Sequence, residues 1–151
     1  MPSPVLTSGT RPVELGAEPT RVTLSPANGD RPRALAMRLQ KLSPGRKLFV
    51  VIRGLRAEVQ PGVLYHAYLD LPSGTEPKAD DPRHIGVLNF FAAAPPAPAD
   101  PEKVAYTFDI TEAARALQAR HLLADRTTIT LRPAGTPAAK SAIARIELVE
   151  Q

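Results

Sequence analysis

The sequence predicts a mainly β protein, an antiparallel β-sandwich or jelly-roll-like barrel with one or two short helices. Three observations predict it. Runs of strand length rich in β-branched and aromatic residues recur along the chain. Pro- and Gly-containing turns separate them, and only two segments carry helical spacing. The 151 residues suit one core, in which a domain of this size buries about 70% of the surface its unfolded chain exposes.

Residues 1–30 hold Pro2, Pro4, Pro12, Pro19 and Pro26 among small and polar residues, with short apolar pieces at Val13-Glu14-Leu15 and Val22-Thr23-Leu24. They read as an extended Pro-rich lead-in or linker contributing one edge strand, ahead of a single β-sandwich domain over 31–151. From Arg33 to Leu42, Leu35, Leu39 and Leu42 fit a short helix, although Leu35, Met37 and Leu39 also fit a strand. Lys47 to Leu55, centred on Leu48-Phe49-Val50-Val51-Ile52, reads as a central strand. The turn signal Gln60-Pro61-Gly62 then suggests a hairpin into the alternating strand Val63 to Leu71.

A polar loop, Pro72 to Pro82, leads to a strand over Ile85–Phe91, with Val87, Asn89 and Phe91 on one side and Leu88 and Phe90 on the other. Ala92 to Pro101, nearly all Ala and Pro, reads as an extended surface loop. Tyr106-Thr107-Phe108-Asp109 ends a strand. Asp109 or Thr111 caps the following helix, whose apolar stripe is Ile110, Ala113, Ala114 and Leu117. Thr127 to Leu131 alternates Thr127, Ile129 and Leu131 inward with Thr128 and Thr130 outward. The last strand, Ala142 to Val149, sets Ala144, Ile146 and Leu148 against Arg145 and Glu147, which read as surface charge.

Composition excludes several classes of function. Without cysteine there is no disulfide framework and no thiolate chemistry. No apolar run approaches the roughly 20 residues of a membrane span. Met1-Pro2-Ser3-Pro4 lacks the blocks of a signal peptide, so a chain made as it stands is expected to be soluble and cytoplasmic. The net charge of +4 gathers in Arg31–Ala57, which has eight basic residues and no acidic one. Its only aromatic is Phe49, inside an apolar run, so a solvated face or a docking surface for an acidic partner fits better than nucleic acid. Arg46, Lys47, Arg53 and Arg56 are the candidates for that docking face.

The glycines form no phosphate loop, and Ser43, Ser73 and Ser141 have no nucleophile elbow around them. Asp80 and Asp81 lie in a Pro-flanked loop that suits a turn. His66, His84 and His121 are far apart, with no i, i+4 pair of metal-ligand type. No catalytic constellation emerges.

One ordered set of segments carries more information: Lys47-Leu48-Phe49-Val50-Val51-Ile52-Arg53-Gly54-Leu55, Pro61-Gly62-Val63-Leu64-Tyr65-His66-Ala67-Tyr68-Leu69-Asp70-Leu71-Pro72, His84-Ile85-Gly86-Val87-Leu88-Asn89-Phe90-Phe91, Phe108-Asp109-Ile110-Thr111 and Ile146-Glu147-Leu148. Their succession over about residues 45 to 149 resembles the carboxy-terminal domain of tyrosinases and polyphenol oxidases, with Asp70 where that family has Asn. Val13-Glu14-Leu15-Gly16 also resembles the linker that joins this domain to the copper domain.

The resemblance implies a non-catalytic accessory domain that packs over the di-copper site of its partner, shields it, and acts as latency lid and intramolecular chaperone. It implies no cofactor in this chain, since the copper belongs to the associated catalytic domain. The partner is a tyrosinase-type di-copper domain, in cis or in trans, with neither nucleic acid nor membrane involved. A lid needs an apolar side chain that fills the partner's pocket. The candidates are Phe90 and Phe91, which point to opposite faces, and Tyr65 and Tyr68, which also do. A partner-facing patch left uncovered would favour self-association. Two other readings compete. A separate copper-delivery partner requires the histidines to converge. A generic protein- or carbohydrate-binding sandwich requires an aromatic platform, which a chain with no Trp supports thinly.

Overall fold

A computed structural model describes residues 4–27, 35–57, 59, 61–90 and 105–151. In chain order the elements are β1 (Pro4–Thr7), β2 (Val13–Leu15), β3 (Thr20–Thr23), β4 (Ser25–Pro26), α1 (Leu35–Gln40), β5 (Leu48–Arg53), β6 (Tyr65–Leu69), β7 (His84–Leu88), β8 (Ala105–Asp109), α2 (Thr111–Ala119), β9 (Thr128–Pro133), β10 (Ser141–Ile143) and β11 (Arg145–Glu150). The predicted mainly β sandwich is what forms. A five-stranded sheet runs β4-β1-β11-β5-β8, a four-stranded sheet runs β3-β9-β6-β7, and β10 pairs with β2 in a short ribbon. All these pairings are antiparallel.

The core lies between the two larger sheets. Leu6, Val50, Ile52, Ile146 and Leu148 come from one, and Tyr65, Ala67, Leu69, Leu88, Ile129 and Leu131 from the other. Both helices bury apolar residues in the same cluster, Leu35 and Leu39 from α1 and Ile110, Ala114 and Leu117 around α2. The α2 start is tied to β5 by side chain as well as backbone. The Leu48 amide donates to the Thr111 hydroxyl (2.9 Å), and the Asp109 carboxylate accepts from the Thr111 amide (3.0 Å). Among the described residues no helix is long and apolar enough to cross a membrane.

Four expectations change. The lead-in supplies β1 to β4 rather than one edge strand, and β1 lies inside its sheet between β4 and β11. Pro61-Gly62 does not close a hairpin: β5 pairs with β11 and β8, whereas β6 pairs with β7 and β9. Proximity in sequence cannot choose a partner for β5, which carries apolar residues on both faces. Thr128 and Thr130 point away from the core as predicted, yet both are buried. Leu71 and Pro72, from the turn after β6, line the same groove as Thr130.

The last predicted strand is two. At Ala144 the chain leaves β2 for β5, and its amide donates to the Arg53 and Gly54 carbonyls (2.9 and 3.2 Å). A Cβ on Gly54, whose φ is +71°, would stand 2.4 Å from the Ala144 Cβ, so the crossover requires glycine there. Residues 92–101, read as an extended loop, lie outside the described residues.

Candidate functional site: the outer face of the four-stranded sheet

Register places polar residues in rows on the face of the four-stranded sheet that points away from the core. Arg21, Thr130, Tyr68 and His84 stand side by side across β3, β9, β6 and β7, and Arg132, His66 and Val87 form the next row. His84 reaches this face through an irregularity. By simple alternation it shares parity with Gly86 and Leu88, which face inward. A β-bulge in β7 leaves Ile85 unpaired between the Ala67–Gly86 and Tyr68–His84 pairs and so sets His84 opposite Tyr68.

The bulge brings two imidazoles together. His66 Nδ1 and His84 Nε2 lie 2.9 Å apart, and the Tyr68 ring meets the His84 ring edge-on, with centroids 5.3 Å apart. Burial pulls the His84 pKa below its ordinary 6.5. The neighbouring His66 adds to this shift, while Asp81 opposes it. Burial also raises the Tyr68 phenol, with Arg132 acting the other way. Asp81 is held by its own turn, its Oδ1 accepting from the Arg83 amide (2.9 Å) beside the Arg83 guanidinium (3.5 Å). Arg132 reaches Glu76 (3.7 Å). Next to the pair runs an open groove of about 480 Å³, whose lining includes Glu18, Arg21, Leu71, Glu76, Thr130 and Arg132.

The residues singled out from sequence are dispersed. Tyr65 and Phe90 are core side chains, packed ring edge to ring face with centroids 5.7 Å apart, and the Tyr65 hydroxyl donates to the Gly16 carbonyl (3.3 Å). Both side chains are fully buried in the core cluster. Tyr68 is buried on the outer face against His84, and Phe91 lies outside the described residues.

The basic candidates find carboxylates in this chain. Arg46 lies 3.8 Å from Glu150, Lys47 3.6 Å from Asp109, and Arg53 2.6 Å from Glu147, while Arg56 is exposed. Glu147, read as surface charge, is buried between Arg53 and Arg145. His121 follows α2 in left-handed backbone, φ 56°. The His66–His84 pair was missed in the sequence because the bulge that unites it leaves no compositional trace. Among the described residues no three or more His, Cys, Asp or Glu side chains converge as a metal centre.

The sequence profile of a domain of unknown function, DUF7868, matches residues 3–151. The chain belongs to that family. Among curated proteins none matches. The DUF7868 fold is similar to part of two solved enzymes. A recombinant latent aurone synthase (polyphenol oxidase) gives a TM-score of 0.52 at 17% identity, over 91% of this chain and 25% of that one. Latent apple tyrosinase gives 0.50 at 18% identity, over 92% and 27%. The likeness is one of fold, and this chain spans about a quarter of the length of those relatives. A fold found in one quarter of a polyphenol oxidase agrees with the resemblance to the carboxy-terminal domain.

Proposed function

We propose that this domain is a non-catalytic accessory domain that packs over the di-copper site of a tyrosinase- or polyphenol-oxidase-type catalytic domain and keeps it latent. The observation that carries the reading is the fold match, which takes in nearly the whole chain and only a quarter of two enzymes, both described as latent. The copper ligands lie in the partner. With Tyr65 and Phe90 committed to the core, apolar side chains at the surface are better suited to fill a partner's pocket. Leu64, which is 45% exposed, and Val59, at 61%, lie in the connection before β6. The Leu64 carbonyl accepts from the Ala134 amide (2.8 Å), so this part of the connection is fixed before any partner arrives.

The test is to mix the chain with a tyrosinase-type copper domain from the same genome and follow binding and diphenol oxidation together. Saturable loss of oxidation that tracks binding is expected, and Leu64→Ser with Val59→Ser should weaken both while leaving the melting temperature unchanged. Absence of binding, or binding without any effect on turnover or copper loading, would remove the proposal.

A further inference from the structure

We propose that His66 and His84 form a two-imidazole site for a divalent first-row transition-metal ion, with the cupric ion held most tightly. This inference does not depend on the shielding role. Two ligand nitrogens about 2.0–2.1 Å from one metal lie about 2.9 Å apart at a right angle and about 3.4 Å apart at the tetrahedral angle. The 2.9 Å between His66 Nδ1 and His84 Nε2 therefore already has the span of a right-angle chelate. In the metal-free pair one of these nitrogens carries the shared proton. An ion bound to both nitrogens sits to one side of the line joining them, and the proton they shared moves to the other nitrogen of its ring.

The pair is held by the fold. The rings stand on adjacent strands, β6 and β7, whose backbone pairing fixes their separation, and Tyr68 limits the rotation of His84. Because no third histidine or carboxylate converges among the described residues, solvent fills the remaining coordination positions, and the ion can exchange. Imidazole selects against Ca²⁺ and Mg²⁺, which require oxygen ligands, and the usual order of stabilities puts Cu²⁺ ahead of Ni²⁺ and Zn²⁺. The nearby cations Arg83 and Arg132 are offset by Asp81 and Glu76.

Calorimetric titration of the full chain with Cu²⁺, Zn²⁺ and Mg²⁺ tests the site. One cupric ion per chain is expected, Zn²⁺ binding more weakly and Mg²⁺ not at all. His66→Gln and His84→Gln should each weaken Cu²⁺ by roughly tenfold or more, at least what loss of an outer-shell partner costs, and His121→Gln should leave it unchanged. Should a variant misfold, substoichiometric Cu²⁺ added to the unaltered chain must broaden the imidazole NMR signals of His66 and His84 before that of His121. Cu²⁺ binding that survives when His66→Gln and His84→Gln are combined, that follows His121, or that is absent altogether would overturn the proposal.

Discussion

Asp70 sits in left-handed backbone, φ 53°, a conformation that Asp and Asn tolerate better than most residues. Its buried carboxylate spans two segments, Oδ1 accepting from the Thr128 amide (2.8 Å) and Oδ2 from the Ala124 amide (3.0 Å). An Asn would suit the turn, but an amide has one oxygen for two donors. Asp70→Asn should therefore cost about 1 kcal/mol at neutral pH, and Asp70→Ala, which strands both amides, about 2–4 kcal/mol. The pH dependence tests the charge itself. Burial raises the carboxyl above its ordinary 3.8, against the pull of Thr128, Ala124 and Arg21. The folded chain then holds the proton more tightly than the unfolded one, so the carboxyl's contribution to stability falls as pH rises through the folded pKa and is recovered on acidification. Urea denaturation of the parent and Asp70→Asn should show their difference growing as pH drops from neutral toward 4. A shrinking difference would mean that the two amide donors outweigh burial.

At the scale of elements, the two sheets meet where Gly86 of β7 faces Phe108 of β8. A Cβ on Gly86 would lie 2.2–2.7 Å from the Phe108 ring, closer than any packed contact. Gly86→Ala should lower stability by about 1–3 kcal/mol as the ring is displaced. Chemical denaturation checks it, and Phe108→Leu should recover part of the loss in the double variant; a neutral Gly86→Ala would mean that the sheets are less closely apposed at this edge. Such contacts mark the limit of what sequence reveals. β5, β6 and β7 were legible because β-branched and aromatic runs have few other uses. Their partners were not, because β5 is apolar on both faces and its sequence fits either sheet. The His66–His84 pair depends on one skipped residue in a ladder, and the burial of Glu147 on Arg53, a residue 94 positions away. Both are consequences of register, which alternation alone does not set.

For the whole molecule, the open question is where the folded unit begins. Composition reads residues 1–30 as an extended lead-in or linker with one edge strand, since prolines and small residues dominate and the apolar pieces are short. In the fold, Leu6 is buried in the core, the Ile146 amide donates to the Ser8 hydroxyl (2.8 Å), and Leu15 is buried from the ribbon that β2 forms with β10. A strand between two others also covers backbone groups of β11 that would otherwise form an exposed edge. If the lead-in is integral, Leu6→Ala should cost about 2–4 kcal/mol, as for other buried leucines whose cavity cannot fully collapse. If it is a tether, the same change should cost almost nothing, because an exposed leucine in a flexible segment has little burial to lose. Equilibrium denaturation separates the two, provided a single cooperative transition is retained. A low-denaturant step confined to the variant would mean that the first strands melt ahead of the sandwich, leaving β11 open to pairing with a second chain. Light scattering would then show association that grows with protein concentration.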